Sequence, residues 1–209
     1  AKAQRALDTS PAQTRRVQTI ARKLIAQVGT FRPDARNWAW EIHVLKSAEV
    51  NAWCMPGGKI AVYSGLLDKI QPSDAELAAV LGHEISHALR EHAREQVSRQ
   101  MAANVGLSIL SAVTGSQAVA DLGSSLTQVM FTLPNSRSNE TEADRMGVEL
   151  AARAGYDPRA AITLWQKMEQ AGGGGQSEIL STHPSSQSRI ADLKQASEIV
   201  LPLYQGRKS

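Results

Sequence analysis

The segment Ser73–Leu89 reads SDAELAAVLGHEISHAL. Ser73 followed by Glu76 has the spacing of a capping box, in which each side chain satisfies the other residue's backbone N–H at a helix start. Leu77, Val80, Leu81, Ile85, Ala88 and Leu89 recur at helical spacing, so the stripe predicts a helix from Ser73 to about Val97. His83-Glu84-Ile85-Ser86-His87 lies inside it. Four residues along a helix turn about 400°, which sets the two imidazoles on one face, a turn apart and able to bind one metal ion. Glu84 stands about 100° from His83, beside the ion, where a carboxylate can take a proton from a water held there. In a chain of this composition chance places such a motif only about 0.01 times. The plainer reading, two exposed histidines on a helix, conflicts with the apolar residues around them, among which free imidazoles are costly.

The elements on either side of this helix define the fold class. Upstream, Glu41–Lys46, Val50–Met55 and Lys59–Tyr63 read as short strands, the last two joined by a Pro56-Gly57-Gly58 turn. They predict a small, largely antiparallel three-stranded sheet beside the HExxH helix. Ahead of them, Ser10 and Pro11 open an amphipathic helix that carries Val17, Ile20, Ala21, Leu24, Ile25 and Val28 on one face and stops at Gly29. Downstream, residues 101–136 are rich in Ala, Gly and Ser with the single charge Asp121; they suit weakly packed helical pieces or a mobile cover. Further helices are expected from about Ser138 to Ala154, after Asp157-Pro158 with Ile162, Trp165 and Met168 on one side, and from about Ser185 to Val200. Gly172–Gly175 interrupts the last two. The class is α+β and mostly helical. One domain is expected over residues 1–209, with an N-terminal helix and loop (1–36), a catalytic core (37–200) and a tail (201–209).

Composition narrows the partners. Of 209 residues, 42% are hydrophobic and 21% charged, ordinary values that exclude collagen, a coiled-coil rod and wholesale disorder. Only 4% are aromatic and no binding motif is present, so nucleic acid is not an expected partner. The longest uncharged stretch, Gln100–Ala120, holds Asn104, Ser108, Ser111, Thr114, Ser116 and Gln117, too polar for a membrane span. Net charge is +3, yet residues 1–48 carry nine Lys/Arg against three Asp/Glu. Such a basic leading helix suits a solvated face or peripheral contact with an anionic membrane surface. Because the chain starts at Ala1 rather than Met, a targeting segment or N-terminal anchor is expected ahead of it.

The single cysteine, Cys54, excludes an internal disulfide and a thiolate zinc site, leaving histidine and carboxylate as ligands. A catalytic zinc wants a third protein ligand and an open position. The segment Asn139-Glu140-Thr141-Glu142-Ala143-Asp144 offers a carboxylate: Glu140 and Asp144 share a face one turn apart, whereas Glu142 points roughly 200° away. Glu140 as ligand, with Asp144 holding a ligand histidine by its other ring nitrogen, satisfies the chemistry. An exposed acidic helix start favoured by the helix dipole is the alternative. His92 lies about 140° round the helix from His87 and is not a ligand of the same ion. His43 alternates with Glu41 and Leu45 on a strand, and neither histidine is expected to take part. Cys54 reads as a buried apolar cysteine, with an inhibitory thiolate on the metal as the alternative.

His83–His87 followed by Glu140-Thr141-Glu142-Ala143-Asp144 resembles the gluzincin metallopeptidases grouped with HtpX and the CAAX prenyl endopeptidases. The run Asn51-Ala52-Trp53-Cys54-Met55-Pro56-Gly57-Gly58-Lys59-Ile60, with Tyr63-Ser64-Gly65-Leu66-Leu67, is similar to the soluble bacterial-envelope branch of that family and its mitochondrial relative. The likeness covers roughly residues 40–195. It implies a zincin-like domain with one Zn2+ per chain, held by His83, His87 and Glu140, with Glu84 as general base and Asp144 as support. It also implies that Asn51-Ala52 is the strand edge on which a polypeptide substrate pairs in extended form. The resemblance reaches His183-Pro184 and Arg189, which in the family face the catalytic zone and steady the developing oxyanion, or occupy the metal's open position at rest. Read from the residues alone, His183 is a loop histidine and Arg189 an exposed helix residue. The implied activity is a zinc-dependent endopeptidase, latent at rest, acting on unfolded or misassembled proteins of a bacterial periplasm or cell envelope. The rival is a non-catalytic zinc-containing assembly factor or chaperone-like module, disfavoured because structural zinc has no use for Glu84.

Overall fold

A computed structural model describes residues 10–96, 98–99, 134–171, 178–184 and 187–207. The expected cover, apart from 134–136, and the glycine run 172–175 lie outside the described residues. Helix α1 (Pro11–Ile25) begins as its sequence requires, with Ser10 Oγ accepting the Gln13 N–H at 3.4 Å and Pro11 in the first turn. Val17, Ile20, Ala21 and Leu24 are its buried face. The helix ends before Gly29, and two short 3₁₀ turns, Val28–Thr30 and Pro33–Asn37, lead into the sheet.

Strands β1 (Glu41–Leu45), β2 (Ala52–Met55) and β3 (Lys59–Tyr63) form one sheet in the order β1-β3-β2. The β2–β3 pair is antiparallel. Its turn is closed by the Gly58 N–H donating to Met55 O at 3.0 Å, and Gly57 takes the φ of 90° that a Pro-Gly turn demands. β1 runs parallel to β3, so the sheet is mixed and the antiparallel expectation holds for one of its two pairings. Ile60-Ala61-Val62 is buried throughout and takes the centre, while β1, with exposed Glu41 and His43, takes an outer position. β2 is thereby left as the other edge, against the HExxH helix.

That helix, α2 (Asp74–Leu89), carries both halves of the capping box: the Glu76 N–H donates to Ser73 Oγ (3.2 Å) and the Ser73 N–H to Glu76 Oε2 (2.7 Å). Every residue from Glu76 to Leu89 is buried, as befits a helix packed on all sides. Glu76 also accepts hydrogen bonds from Thr163 Oγ1 (2.9 Å) and Lys167 Nζ (2.7 Å) of α4 (Ala160–Ala171). The helix does not continue to Val97. It stops at Leu89, Glu91 turns left-handed at φ 55°, and the chain is helical again over 92–96. Arg32 secures this break by donating through Nη1 to Leu89 O (3.1 Å) and Glu91 Oε1 (2.9 Å), a cation at a helix C-terminus.

Helix α3 (Arg137–Arg153) starts at Ser136, whose Oγ accepts the Asn139 N–H at 3.2 Å. It crosses α2 with Gly82 against Gly147: a Cβ on Gly147 would lie 2.8 Å from His83 N and 3.0 Å from His83 Cα. Only glycine permits that approach. A short α5 (Glu178–Thr182) and the long α6 (Gln187–Gln205) complete the fold, and one apolar core runs from Val17 of α1 to Val200 of α6. Among the described residues no helix is long and apolar enough to cross a membrane.

Candidate metal centre

His83 and His87 project from one face of α2 and aim their Nε2 atoms at the same point, 3.1 Å apart. Glu140, in the first turn of α3, brings Oε1 to 3.1 Å from His87 Nε2. His183, just past α5, brings Nδ1 to 3.2 Å from His83 Nε2 and 2.9 Å from Glu140 Oε1. All four residues are buried, and one ligand atom from each lies within 4.8 Å of the others. A tetrahedron of zinc ligands at 2.0–2.1 Å has edges of about 3.3 Å, so the donor spacing fits zinc. The chemistry fits too: three imidazoles and a carboxylate, all buried, bring nitrogen and oxygen atoms to one point, the kinds of donor that zinc takes.

The outer nitrogens of the two helix-borne imidazoles each lie close to another polar side chain. His83 Nδ1 lies 2.9 Å from Asp144 Oδ1. Asp144 in turn receives both Nε and Nη2 of Arg189, whose Nη1 reaches Glu140 Oε2 at 2.8 Å and the carbonyls of His183 (3.4 Å) and Pro184 (3.2 Å). Trp165 backs this group, with the Arg189 guanidinium 4.0 Å from its ring centroid. Arg189 is thus buried rather than exposed, and its guanidinium holds the carboxylates of Asp144 and Glu140.

Burial alone would raise the Glu140 carboxyl, but His183 and His83 outweigh it and hold the group far below the usual carboxylate range. Asp144 follows the same pattern, burial being overcome by Arg189 and His83. In His83 burial opposes the charged form, yet Glu140 and Asp144 push it up to about 9. Burial dominates in His87, well below its ordinary value, and in Glu84, which is raised against the pull of His183 and His83. Glu84 Oε1 is buried without a hydrogen-bond partner, 3.5 Å from His183 Nε2.

Ala52, Trp53, Cys54, Glu84, Thr182 and His183 line a cleft of about 40 Å³, with room for only a few waters. Asn51 and Ala52 stand on its β2 wall, where the Ala52 N–H donates to Asn51 Oδ1 at 2.8 Å. Opposite, the Ile179 N–H of α5 donates to Val50 O at 3.3 Å. Cys54 is buried, and burial with Glu84 nearby pushes its thiol well above the ordinary value, which keeps it protonated and apolar. His43 lies on β1, exposed beside Glu41.

The residues that sequence reasoning passed over are His92 and Glu142. His92 Nδ1 lies 2.9 Å from His87 Nδ1, and His92 Nε2 lies 3.1 Å from Glu142 Oε2. A separation of about 140° between His87 and His92 holds only on an unbroken helix, whereas the left-handed Glu91 swings His92 back towards His87. Nothing in Arg90-Glu91, two ordinary helix formers, announces that break.

An HExxH helix beside an edge strand, with a glutamate from a crossing helix completing a buried histidine site, defines a zinc metallopeptidase domain. The chain belongs to peptidase family M48, whose family model matches residues 11–197. It is 41% identical over 168 residues to the mitochondrial metalloendopeptidase OMA1 of Arabidopsis thaliana, covering 79% of this chain and 34% of that protein. The Schizosaccharomyces pombe protein of the same name is 35% identical over 181 residues, covering 86% of this chain and 51% of its own length. The β-barrel assembly-enhancing protease of Escherichia coli is 30% identical over 211 residues, covering 94% of this chain and 41% of its own. The chain therefore spans between a third and a half of these relatives.

Proposed function

We propose that this domain is a zinc-dependent endopeptidase held latent by His183. The observation that carries the reading is Glu84: a buried carboxylate with one unpartnered oxygen, set between the convergent ligands and the β2 edge. His83, His87 and Glu140 hold the metal, and Asp144 orients His83. Bound zinc supplies Lewis acidity that polarises a peptide carbonyl and acidifies water. Glu84 takes the proton of the attacking water and passes it to the leaving amine. The substrate is polypeptide in extended form, laid along Asn51-Ala52 and recognised through its backbone. Two backbone groups at that edge are engaged at rest, Ala52 N–H by Asn51 and Val50 O by Ile179, so productive binding displaces α5 together with His183. The Escherichia coli relative is named as a β-barrel assembly-enhancing protease, and the substrate class proposed for this domain is unfolded or misassembled envelope protein.

A four-donor set with His183 in place is closed, and closed sites are typical of structural zinc. That favours the rival reading, an assembly factor or chaperone-like module. The two are separated by incubating unfolded casein with the protein, a chelator-treated sample and variants. His183→Ala is expected to retain zinc and cleave faster than the parent. An inactive, zinc-loaded His183→Ala would instead assign the imidazole to the reaction. In the active background Glu84→Gln is expected to keep one zinc per chain by elemental analysis and to cleave at least about 10²-fold more slowly. Full activity in that variant would remove Glu84 from the mechanism. Protection of casein from aggregation that survives Glu84→Gln, without cleavage in any variant, would establish the rival.

A further inference from the structure

We propose that His92 and Glu142 are positioning residues for the metal centre: Glu142 orients His92, and His92 fixes the ring and tautomer of His87. The inference rests on His87 being a zinc ligand through Nε2, the atom that faces His83 and Glu140. A ligating Nε2 must present its lone pair, so the ring proton of His87 sits on Nδ1. That N–H points to His92 Nδ1, 2.9 Å away, which must then be the acceptor nitrogen of its ring. The His92 proton is left on Nε2, 3.1 Å from Glu142 Oε2. Donors and acceptors therefore run in one direction from ligand to carboxylate, with no conflict at any of the three groups. Glu142 in turn is anchored at the surface by Nη2 of Arg90.

The two helix-borne ligands are thus supported differently. His83 meets a carboxylate directly, Asp144 at 2.9 Å. His87 meets one through an interposed imidazole that is itself buried, while Glu142 is half exposed. The arrangement depends on the break after Leu89, since only the left-handed Glu91 returns His92 to the face of α2 that carries His87. Outer partners of this kind typically alter metal affinity by about 10–100-fold when removed.

The test compares His92→Leu, which deletes the acceptor, with His92→Asn, which keeps an acceptor at the Nδ1 position, and with Glu142→Ala at the exposed end. Zinc affinity is read by competition with a chromophoric chelator, and ligand geometry by the visible spectrum of the cobalt-substituted protein. His92→Leu is expected to bind zinc about 10–100-fold more weakly with a shifted cobalt band. Glu142→Ala should move both readouts the same way by less, and His92→Asn should retain most of the affinity and the parental band. Parental affinity and spectrum in Glu142→Ala and His92→Leu would overturn the proposal. So would a His92→Asn variant as weak as His92→Leu with an unshifted band, which would make His92 a packing residue. If His92→Leu does not fold, Glu142→Ala decides alone. A His87→Leu control that still binds zinc at parental strength would overturn the ligand reading instead.

Discussion

Asp144 and Arg189 meet as two planar forks, with Nε and Nη2 of the guanidinium each on one carboxylate oxygen. The remaining arm of Arg189 reaches Glu140 at 2.8 Å, so one cation neutralises both the carboxylate behind His83 and the carboxylate proposed as a ligand. A lysine carries the same charge but cannot make the paired contact or lie flat on Trp165. Arg189→Lys is therefore expected to keep the fold while weakening zinc binding about tenfold, as loss of an outer partner does. Arg189→Met leaves two buried carboxylates uncompensated and should cost about 3–5 kcal/mol of stability. Zinc competition and denaturant melts measure the two effects separately. Zinc binding at parental strength in Arg189→Lys would mean that charge, not the fork, supports the ligands.

Between elements, the register of α2 against α3 rests on Gly82 facing Gly147. Alanine at 147 gains roughly 0.8–1 kcal/mol of helix propensity. It also places a methyl 2.8 Å from His83 N, and because the obstacle is backbone the helices must part. Overpacking of that sort costs about 1–3 kcal/mol, so Gly147→Ala should be destabilised by about 0–2 kcal/mol and bind zinc more weakly, since Glu140 and Asp144 ride on α3. Unchanged zinc affinity, measured by chelator competition, would show that the crossing has slack. The start of α2 was legible because Ser73 and Glu76 act over three residues, and the β2–β3 hairpin because Pro56-Gly57-Gly58 is a local turn. The parallel partnering of β1 was not legible, being settled by which strand is apolar enough for the middle. The end of α2 was hidden as well, because Arg32, which holds Leu89 O and Glu91, comes from a turn 57 residues upstream.

Across the molecule the site gathers donors from α2, α3 and the segment after α5, His83 and His183 being 100 residues apart. Local periodicity exposes the members that share a helix, His83 with His87 and Glu140 with Asp144. His183 and Arg189 have no such signature, and only resemblance to a family brought them forward. His92 had neither. Such a centre cross-links elements that are otherwise joined by packing and a few polar contacts, so zinc binding is also folding free energy. A ligand bound only by the folded state adds about 2.7 kcal/mol when present at a hundredfold excess over its Kd. For a domain of this size each kcal/mol moves the thermal midpoint by about 2–4 °C. Stripping zinc with a chelator should thus lower the midpoint by about 5–10 °C, and restoring zinc should recover it. In His183→Ala, with one donor fewer, the same treatment should produce a smaller drop. A midpoint that does not move after elemental analysis has shown the zinc to be gone would mean that packing alone, with the Gly82–Gly147 crossing at its centre, fixes the site.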